Sequence, residues 1–449
     1  MLIYGLAWVA LPCKYSLVLL VGLSGAQRRG KGMGMGECVF LKRPRRGQAT
    51  MSMRPSRTPS PSLSFVLLMA TMMSVAAISI DAMLPALGQI GQDLGSAFPN
   101  QSQLIISAVF VGMGVGQLIA GPISDAVGRK PLLMGCLLLY VLGALICLFA
   151  STMTPMLIGR VIQGLGAAGP WVSCVSILRD KFGGREMAKV LSLVMTVFIT
   201  APVLAPALGQ GLMLLTHWRV IFVFFVVYAV AVGVWALIAL DETLPPEKRV
   251  PWRVKTIWHG FKEVLAHQAT RQYALAMGLV FACFIGYLTS IQQIFQVQYQ
   301  VGGVFVVYFG LQALGFGVSS LINARFVEQF GMRYIVMRGL LAVVLIGGVV
   351  ATLSAFFIVP FWIFFTFGLV SLFCIGLLFG NLNALAMEPM GHIAGTAAAI
   401  VAAIANVISI SLGTLVGQLY AGTLLPVALS FVVLGLLALR LVLSADRVG

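Results

Sequence analysis

From residue 64 onward the chain is a succession of about twelve apolar stretches, each close to the ~20 residues a helix needs to cross a hydrocarbon core. They run approximately over 64–86, 102–121, 131–151, 154–177, 189–213, 218–240, 272–293, 302–322, 335–355, 359–382, 394–417 and 422–444. In lipid each backbone N–H and C=O must find its partner inside the protein, so segments of this length cross as α-helices. Charge supports the same class: only 9% of residues are charged, against ~25% in soluble domains. The expected fold is an all-α polytopic membrane protein.

The net charge of +16 does not point to nucleic acid, because the cations lie in short loops and in the first sixty residues rather than in a basic domain. Loops after the second, fourth, sixth and eighth segments carry Arg129, Lys130, Arg179, Lys181, Arg185, Lys189, Lys248, Arg249, Arg253, Lys255, Lys262, Arg271, Arg325 and Arg333. The loops between them are nearly bare, with Arg219 as the main exception; after the tenth segment come only Glu388 and His392. The excess of Lys and Arg marks the cytoplasmic side, which places both ends of the twelve-segment core in the cytoplasm. Of the seven cysteines, five lie in apolar runs and none forms a Cys-x-x-Cys pair, so neither a disulfide framework nor a metal site is expected.

One long loop, 241–271, opens Asp241-Glu242-Thr243-Leu244-Pro245-Pro246-Glu247-Lys248-Arg249 and then mixes Trp252, Ile257, Trp258, Phe261 and Leu265 with bases. It is expected to be a cytoplasmic linker holding an interfacial amphipathic helix, between a six-helix half at 64–240 and another at 272–449. An internal echo supports two pseudo-symmetric halves. Asp125-x-x-Gly128-x-Lys130 recurs 203 residues later as Glu328-x-x-Gly331-x-Arg333, in the equivalent loop. Residues 1–63 form an N-terminal extension with three readings: a thirteenth helix, a signal peptide with its cations on the wrong side of the apolar run, or a start that belongs at Met51 or Met53. The last is favoured.

Charges inside the segments are few, and each is costly, ~2.5–3.5 kcal/mol at mid-bilayer. Asp81 is expected near the outer end of segment 1, and Arg160 one or two turns in from the same side of segment 4. An acid and an arginine at similar depth can pair and part, which makes the acid a proton carrier. The alternative is an acid at a wet helix end before Pro85 and an arginine that snorkels or bonds backbone carbonyls. Gly164-Leu165-Gly166-Ala167-Ala168-Gly169 spells a dinucleotide fingerprint, but it follows no strand and is read as helix packing, like Gly112 and Gly116. Segment 5 holds Pro202, Pro206 and Gly209, read as a bend or a rocking contact, or simply as a kink. Phe281, Phe284, Leu288, Gln292 and Phe295 fall on one face of segment 7, as packing or as pocket. No His-Glu-x-x-His or Ser/His pair lies in the core, and no enzyme activity, cofactor or metal is expected.

Several motifs occur together and in order: Ser79-Ile80-Asp81 with Leu84-Pro85-Ala86-Leu87, the run 121–130, Arg160 with Gln163-Gly164-Leu165-Gly166, and Ala201-Pro202 with Ala205-Pro206. Glu242-Thr243-Leu244-Pro245-Pro246-Glu247, Asn323 with Arg325-Phe326, and His392-x-Ala394-Gly395-Thr396-Ala397 complete the set. From residue 64 to the C-terminus the chain resembles a major facilitator drug:proton antiporter of the Bcr/CflA type, the bicyclomycin and chloramphenicol resistance branch. The resemblance implies a monomeric, multi-pass inner-membrane exporter of hydrophobic drugs driven by protons. It implies that Gly121, Asp125, Gly128, Arg129 and Lys130 help lock the outward-facing state, and that Asp81 and Arg160 couple protons. It also implies that Pro202, Pro206 and Gly209 mark an exporter; on that reading Gln163 and the segment 7 face of Phe281, Phe284, Gln292 and Phe295, picked out by spacing alone, are the candidate drug contacts. Ala82-Met83 replaces the branch's usual Met-Tyr, and Gly209-Gln210 its Gly-Gly, so no particular drug carries over. The alternative on the same fold is a proton-coupled carrier of a small metabolite such as an amino acid or sugar.

Overall fold

The computed structural model describes residues 61–98, 100–249 and 254–445. The extension 1–60, Trp252 and Arg253 lie outside the described residues, as do the side chains of Arg185, Lys248, Lys255, Ile257, Trp258 and His392. Twelve helices among the described residues are long and apolar enough to cross a membrane. In chain order, spans 1 to 6 are Leu63–Asp93, Gln101–Val127, Arg129–Leu148, Met153–Lys181, Lys189–Leu215 and Arg219–Ala239. Spans 7 to 12 are Gln268–Gln298, Gly302–Ser320, Met332–Phe356, Phe361–Gly391, Gly395–Gln418 and Leu425–Ala445. The all-helical membrane fold is as expected.

Several boundaries move, each for a local reason. Span 1 continues past Pro85 to Asp93 as a short 3-10 turn, Leu84–Ala86, followed by the helix Leu87–Asp93. Pro85 cannot donate to the carbonyl of Asp81, so the regular helix Leu63–Asp81 stops there and a broken extension follows. Span 2 does not end at Gly121 but runs through Pro122 to Val127. Gly121 carries no Cβ to collide with the following proline ring, which eases the α conformation disfavoured before proline. The run 121–130 is therefore mostly helix, and its turn is one residue, Gly128, at φ 113°. Between spans 8 and 9 the helix Phe305–Phe330 ends at Gly331, φ 78°, and the next begins at Met332. The sequence echo is thus also an echo of backbone.

Small residues set the tightest crossings. A Cβ on Gly112 of span 2 would collide with the Val161 carbonyl, and one on Gly164 of span 4 with the Val109 carbonyl. On its other face, Gly166 abuts the backbone of Tyr140 in span 3. The fingerprint-like glycines are accordingly two helix-packing surfaces back to back. After Lys248 the linker helix Val254–Ala266 buries Val264 completely and brings Gly260 against Thr396 and Ile400 of span 11. Its apolar side is spent on a protein contact as well as on any interface.

Hydrogen bonds that join the first six spans to the last six gather at the end opposite the basic loops. Asn100 Nδ2 donates to the carbonyls of Gln418 (2.9 Å) and Tyr420 (2.8 Å), and Gln418 Nε2 returns a bond to Asn100 O (3.0 Å). Gln103 donates to Gln293 Oε1, and Gln293 Nε2 to Asn100 Oδ1 (3.2 Å). Deeper along the same seam Asn406 Nδ2 donates to Gln117 Oε1 (2.9 Å). A neutral clasp closes that end.

Candidate functional site

Asp81 is 7% exposed and terminates the regular helix of span 1. It does not stand at the end of the span as the sequence suggested, because span 1 continues twelve residues further, past Pro85 to Asp93. Its carboxyl makes no hydrogen bond or ion pair among the described residues.

Arg160 is completely buried in span 4 and does not pair with Asp81 in this arrangement. Its Nη2 donates to the carbonyl of Ser79 (2.8 Å), its Nε to that of Ile105 (3.3 Å) and its Nη1 to Gln163 Oε1 (2.7 Å). Of the two arrangements the sequence allows, pairing with Asp81 or bonding backbone carbonyls, the arginine adopts the second, and the break in span 1 supplies one of the carbonyls. At the helix end the Met83 N–H turns to Ile80 O, so Ser79 O has left the helical ladder and is open to a side chain. One guanidinium thereby ties spans 1, 2 and 4 together two residues from an unpartnered acid. Gln163, expected among the drug contacts, is fully buried and spends its oxygen on Arg160.

Span 5 reaches the same place from the other side. Its helix is interrupted at Ile199 between Gly184–Phe198 and Thr200–Leu215; Pro202 cannot donate to the carbonyl four residues back, which accounts for the interruption. Pro206 and Gly209 are buried, and a Cβ on Gly209 would collide with the carbonyl of Ala82, the residue after Asp81. The proline and glycine motif is the surface on which the break of span 1 rests.

Around Gly128 the charges form one network. Arg129 is 3% exposed; its Nε donates to Asp180 Oδ2 of span 4 (2.9 Å) and its Nη1 to Asp125 and to Ser124 Oγ (2.9 Å) of span 2. Glu242 accepts the backbone N–H of Arg129 (3.0 Å) and of Lys130 (3.1 Å), so a carboxylate caps the positive end of span 3. Lys130 Nζ binds the carbonyls of Leu237 (2.9 Å) and Leu240 (2.7 Å) at the negative end of span 6. Partial burial pushes the Glu242 carboxyl up, but the N–H groups of Leu244, Arg129 and Lys130 outweigh it and hold the group below the usual glutamate range. Gly121 lies in the same helix with open space beside it and makes no contact with this network.

In span 7, the most enclosed of the twelve, Phe281 and Phe284 are partly exposed. Phe281 meets Phe379 of span 10 and Phe284 meets Phe316, with ring centroids 5.2 and 6.3 Å apart. Gln292 is buried, donates to Gln296 Oε1 (2.7 Å) and faces Gly88 of span 1. Phe295 leaves the expected stripe. A π-helical stretch, Gln293–Gln298, shifts the register and turns its ring into a sealed cluster with Phe305, Phe361 and Phe364. It is packing, with no exposed surface.

The sequence reading missed Asn100, Gln103, Gln293 and Gln418, because an amide near a helix end carries no pattern that says what it meets. The capping role of Glu242 has a sequence signal, an acid just past span 6 and opposite a glycine turn.

The family model described as Major Facilitator Superfamily matches residues 65–414. An uncharacterized MFS-type transporter of Bacillus subtilis (strain 168), YdgK, is 31% identical over 370 residues, 80% of this chain and 88% of that protein. A bicyclomycin resistance protein homolog of Haemophilus influenzae is 26% identical, covering 81% of this chain and 91% of its own length. The multidrug resistance protein MdtL of Klebsiella pneumoniae (strain 342) is 36% identical over a shorter stretch, 42% of this chain and 47% of that protein. Among solved structures, the human organic anion transporter MFSD10 (TETRAN) shares the fold with a TM-score of 0.65 at 17% identity, over 84% of this chain and 99% of that one.

Proposed function

The chain belongs to the major facilitator superfamily, and we propose that it exports hydrophobic drugs across the inner membrane in exchange for protons. Its two six-helix halves, 64–240 and 272–449, rock about the linker 241–271, with the basic loops and both ends of the core in the cytoplasm. The bicyclomycin and multidrug resistance names of two relatives support drugs as the cargo. Phe281, Phe284 and Phe379 offer an apolar wall for such a cargo.

The observation that carries the coupling is a buried acid without a counter-charge, two residues from the carbonyl that holds a buried arginine. A buried carboxyl with no partner is tolerated when neutral and costly when charged. With a proton on Asp81, Arg160 stays on Ser79 O, Ile105 O and Gln163. When the proton leaves, the carboxylate attracts the guanidinium, and the contact between spans 1 and 4 is remade. Gly209 against Ala82 transmits that change at the break to span 5. Asp125, Arg129, Asp180 and Glu242 stiffen the cytoplasmic end of the first half, while the amide clasp around Asn100 opens and closes the other end.

Export assays on Asp81→Asn and Arg160→Ala test the assignment. Both variants should accumulate normally and lose proton-driven export; unimpaired export by both would overturn it.

A further inference from the structure

Two arginines lie inside spans of the second half without being buried: Arg338 of span 9 and Arg440 of span 12 are both exposed. Arg338 falls on one helical stripe with the exposed Tyr334, Leu341 and Leu345, and Arg440 on another with the exposed Val433, Leu436 and Leu437. Neither span contains an acid, and neither guanidinium makes a hydrogen bond or ion pair among the described residues. Ionisable residues within spans almost always face the bundle interior, so two that lie among lipid-facing side chains need an anion from outside.

Packing sets the two at one level. A Cβ on Gly347 of span 9 would meet Phe431 and Ala428 of span 12, and one on Gly435 of span 12 would meet Val344 of span 9. The two spans run in opposite directions, so these contacts fix their register. Toward the end with the basic loops, nine residues from Gly347 lead to Arg338, and nine from Phe431 lead to Arg440. Both stand close to that end, six residues from Met332 and five from Ala445, or about 9 and 8 Å of helix.

A cation at that depth on a lipid face reaches for the headgroup layer. Arg338 shows the direction: its guanidinium lies over the ring of Tyr334, one turn nearer the helix start, 5.3 Å from the centroid. Tyr334 stacks on Phe330 (5.4 Å), and Phe330 meets Phe326 of the preceding helix (6.0 Å). This exposed ladder leads from the span to the turn at Gly331, and aromatic rings of this kind sit at headgroup level.

We propose that this face of spans 9 and 12 binds an anionic phospholipid of the leaflet on the basic-loop side, with Arg338 and Arg440 donating to its phosphate-bearing headgroup and its acyl chains lying on Leu341, Leu345 and Leu437. Guanidinium forks match phosphate oxygens, and the leucines continue both stripes away from the headgroup. The site is independent of the assignment of Asp81 and Arg160.

Thermal unfolding of the full chain in nonionic detergent, titrated with dioleoylphosphatidylglycerol, dioleoylphosphatidylcholine or inorganic phosphate, tests it. Phosphatidylglycerol alone should give the parent chain a saturable rise in Tm. Arg338→Gln and Arg440→Gln should each weaken the apparent affinity about fivefold and the double variant about twenty- to thirtyfold, from the usual weight of one basic residue at an anionic surface. The Arg338→Leu and Arg440→Leu pair gives the same reading should the Gln variants accumulate poorly, since leucine suits a lipid face. Arg338→Lys with Arg440→Lys should keep most of the affinity, because an ammonium still meets a phosphate as a point charge. Lys189→Gln, an exposed cation at the start of span 5, should leave the affinity within about twofold of the parent. Parent affinity in the double variant overturns the proposal, as does an equal rise with phosphatidylcholine. A rise with inorganic phosphate that matches the lipid makes the site one for free phosphate, and a loss in Lys189→Gln as large as in the arginine variants makes the effect one of bulk surface charge; either also overturns it.

Discussion

A single guanidinium reaches acceptors on three helices, and its shape is what allows it. Arg160 presents a planar fork with separated donors, whereas a lysine ammonium is a point charge on a flexible stem. Arg160→Lys keeps the charge but cannot hold Ser79 O, Ile105 O and Gln163 together. Export should fall at least about tenfold, a loss of ~1.4 kcal/mol of transition-state stabilisation, measured as initial rates at matched protein levels. Glu242 makes a second prediction. Its carboxylate is held below the usual glutamate range, so its capping contribution is complete above that range and is lost as pH falls through it. Glu242→Gln should cost about 0.3–1 kcal/mol at neutral pH, the usual size of a charge at a helix end. Thermal unfolding should show the gap between parent and variant closing as pH falls below about 4. The sequence announced Asp81 and Arg160 because charge in an apolar run stands out. It left open whether they pair with each other, since two of the three partners of Arg160 are backbone carbonyls, one of them freed by a helix break, and carbonyls have no sequence signature.

Span 1 shows how one proline shapes an element and its neighbour. Pro85 ends the helix at Asp81, the break exposes the Ala82 carbonyl, and only a glycine at position 209 lets span 5 close over it. Gly209→Ala places a methyl against backbone, which cannot move aside as a side chain would. It should destabilise by about 1–3 kcal/mol and slow exchange, whereas Gly211→Ala, with open space, should be neutral in both. By its glycines and charges the run 121–130 reads as the loop between segments 2 and 3. The helix continues through Pro122, and the turn shrinks to Gly128. Its counterpart Gly331 has open space where Gly128 has the Glu242 carboxylate. Gly128→Ala therefore meets both a strained backbone and a steric neighbour and should cost more than Gly331→Ala, where the conformation alone, φ 78° and ψ 157°, costs about 1–3 kcal/mol. The aromatic stripe of span 7 failed at Phe295 for a similar reason: a π-helical stretch changes the period, and no helical wheel drawn at 3.6 residues per turn anticipates it.

The whole molecule is held shut at one end by neutral amides and braced at the other by charges. The clasp of Asn100, Gln103, Gln293 and Gln418 joins spans that the chain separates widely, so its pairing was invisible in the sequence, while the twelve spans and the duplicated turn were plain in it. Asn100→Ala removes the amide that bonds Gln418 O and Tyr420 O and receives Gln293. It should shift the population toward the state open at that end, seen as faster labelling of a cysteine placed at Ser107 by a membrane-impermeant thiol reagent. The central claim is proton-driven drug export through Asp81 and Arg160. Its most direct test is accumulation of a fluorescent lipophilic drug such as ethidium in cells lacking their own pumps, with the parent chain or Asp81→Asn, before and after an uncoupler collapses the proton gradient. The account predicts low accumulation with the parent chain, restored by the uncoupler, and high accumulation with the variant in both conditions. Equal exclusion by parent and variant, or exclusion by the parent that survives the uncoupler, would contradict it.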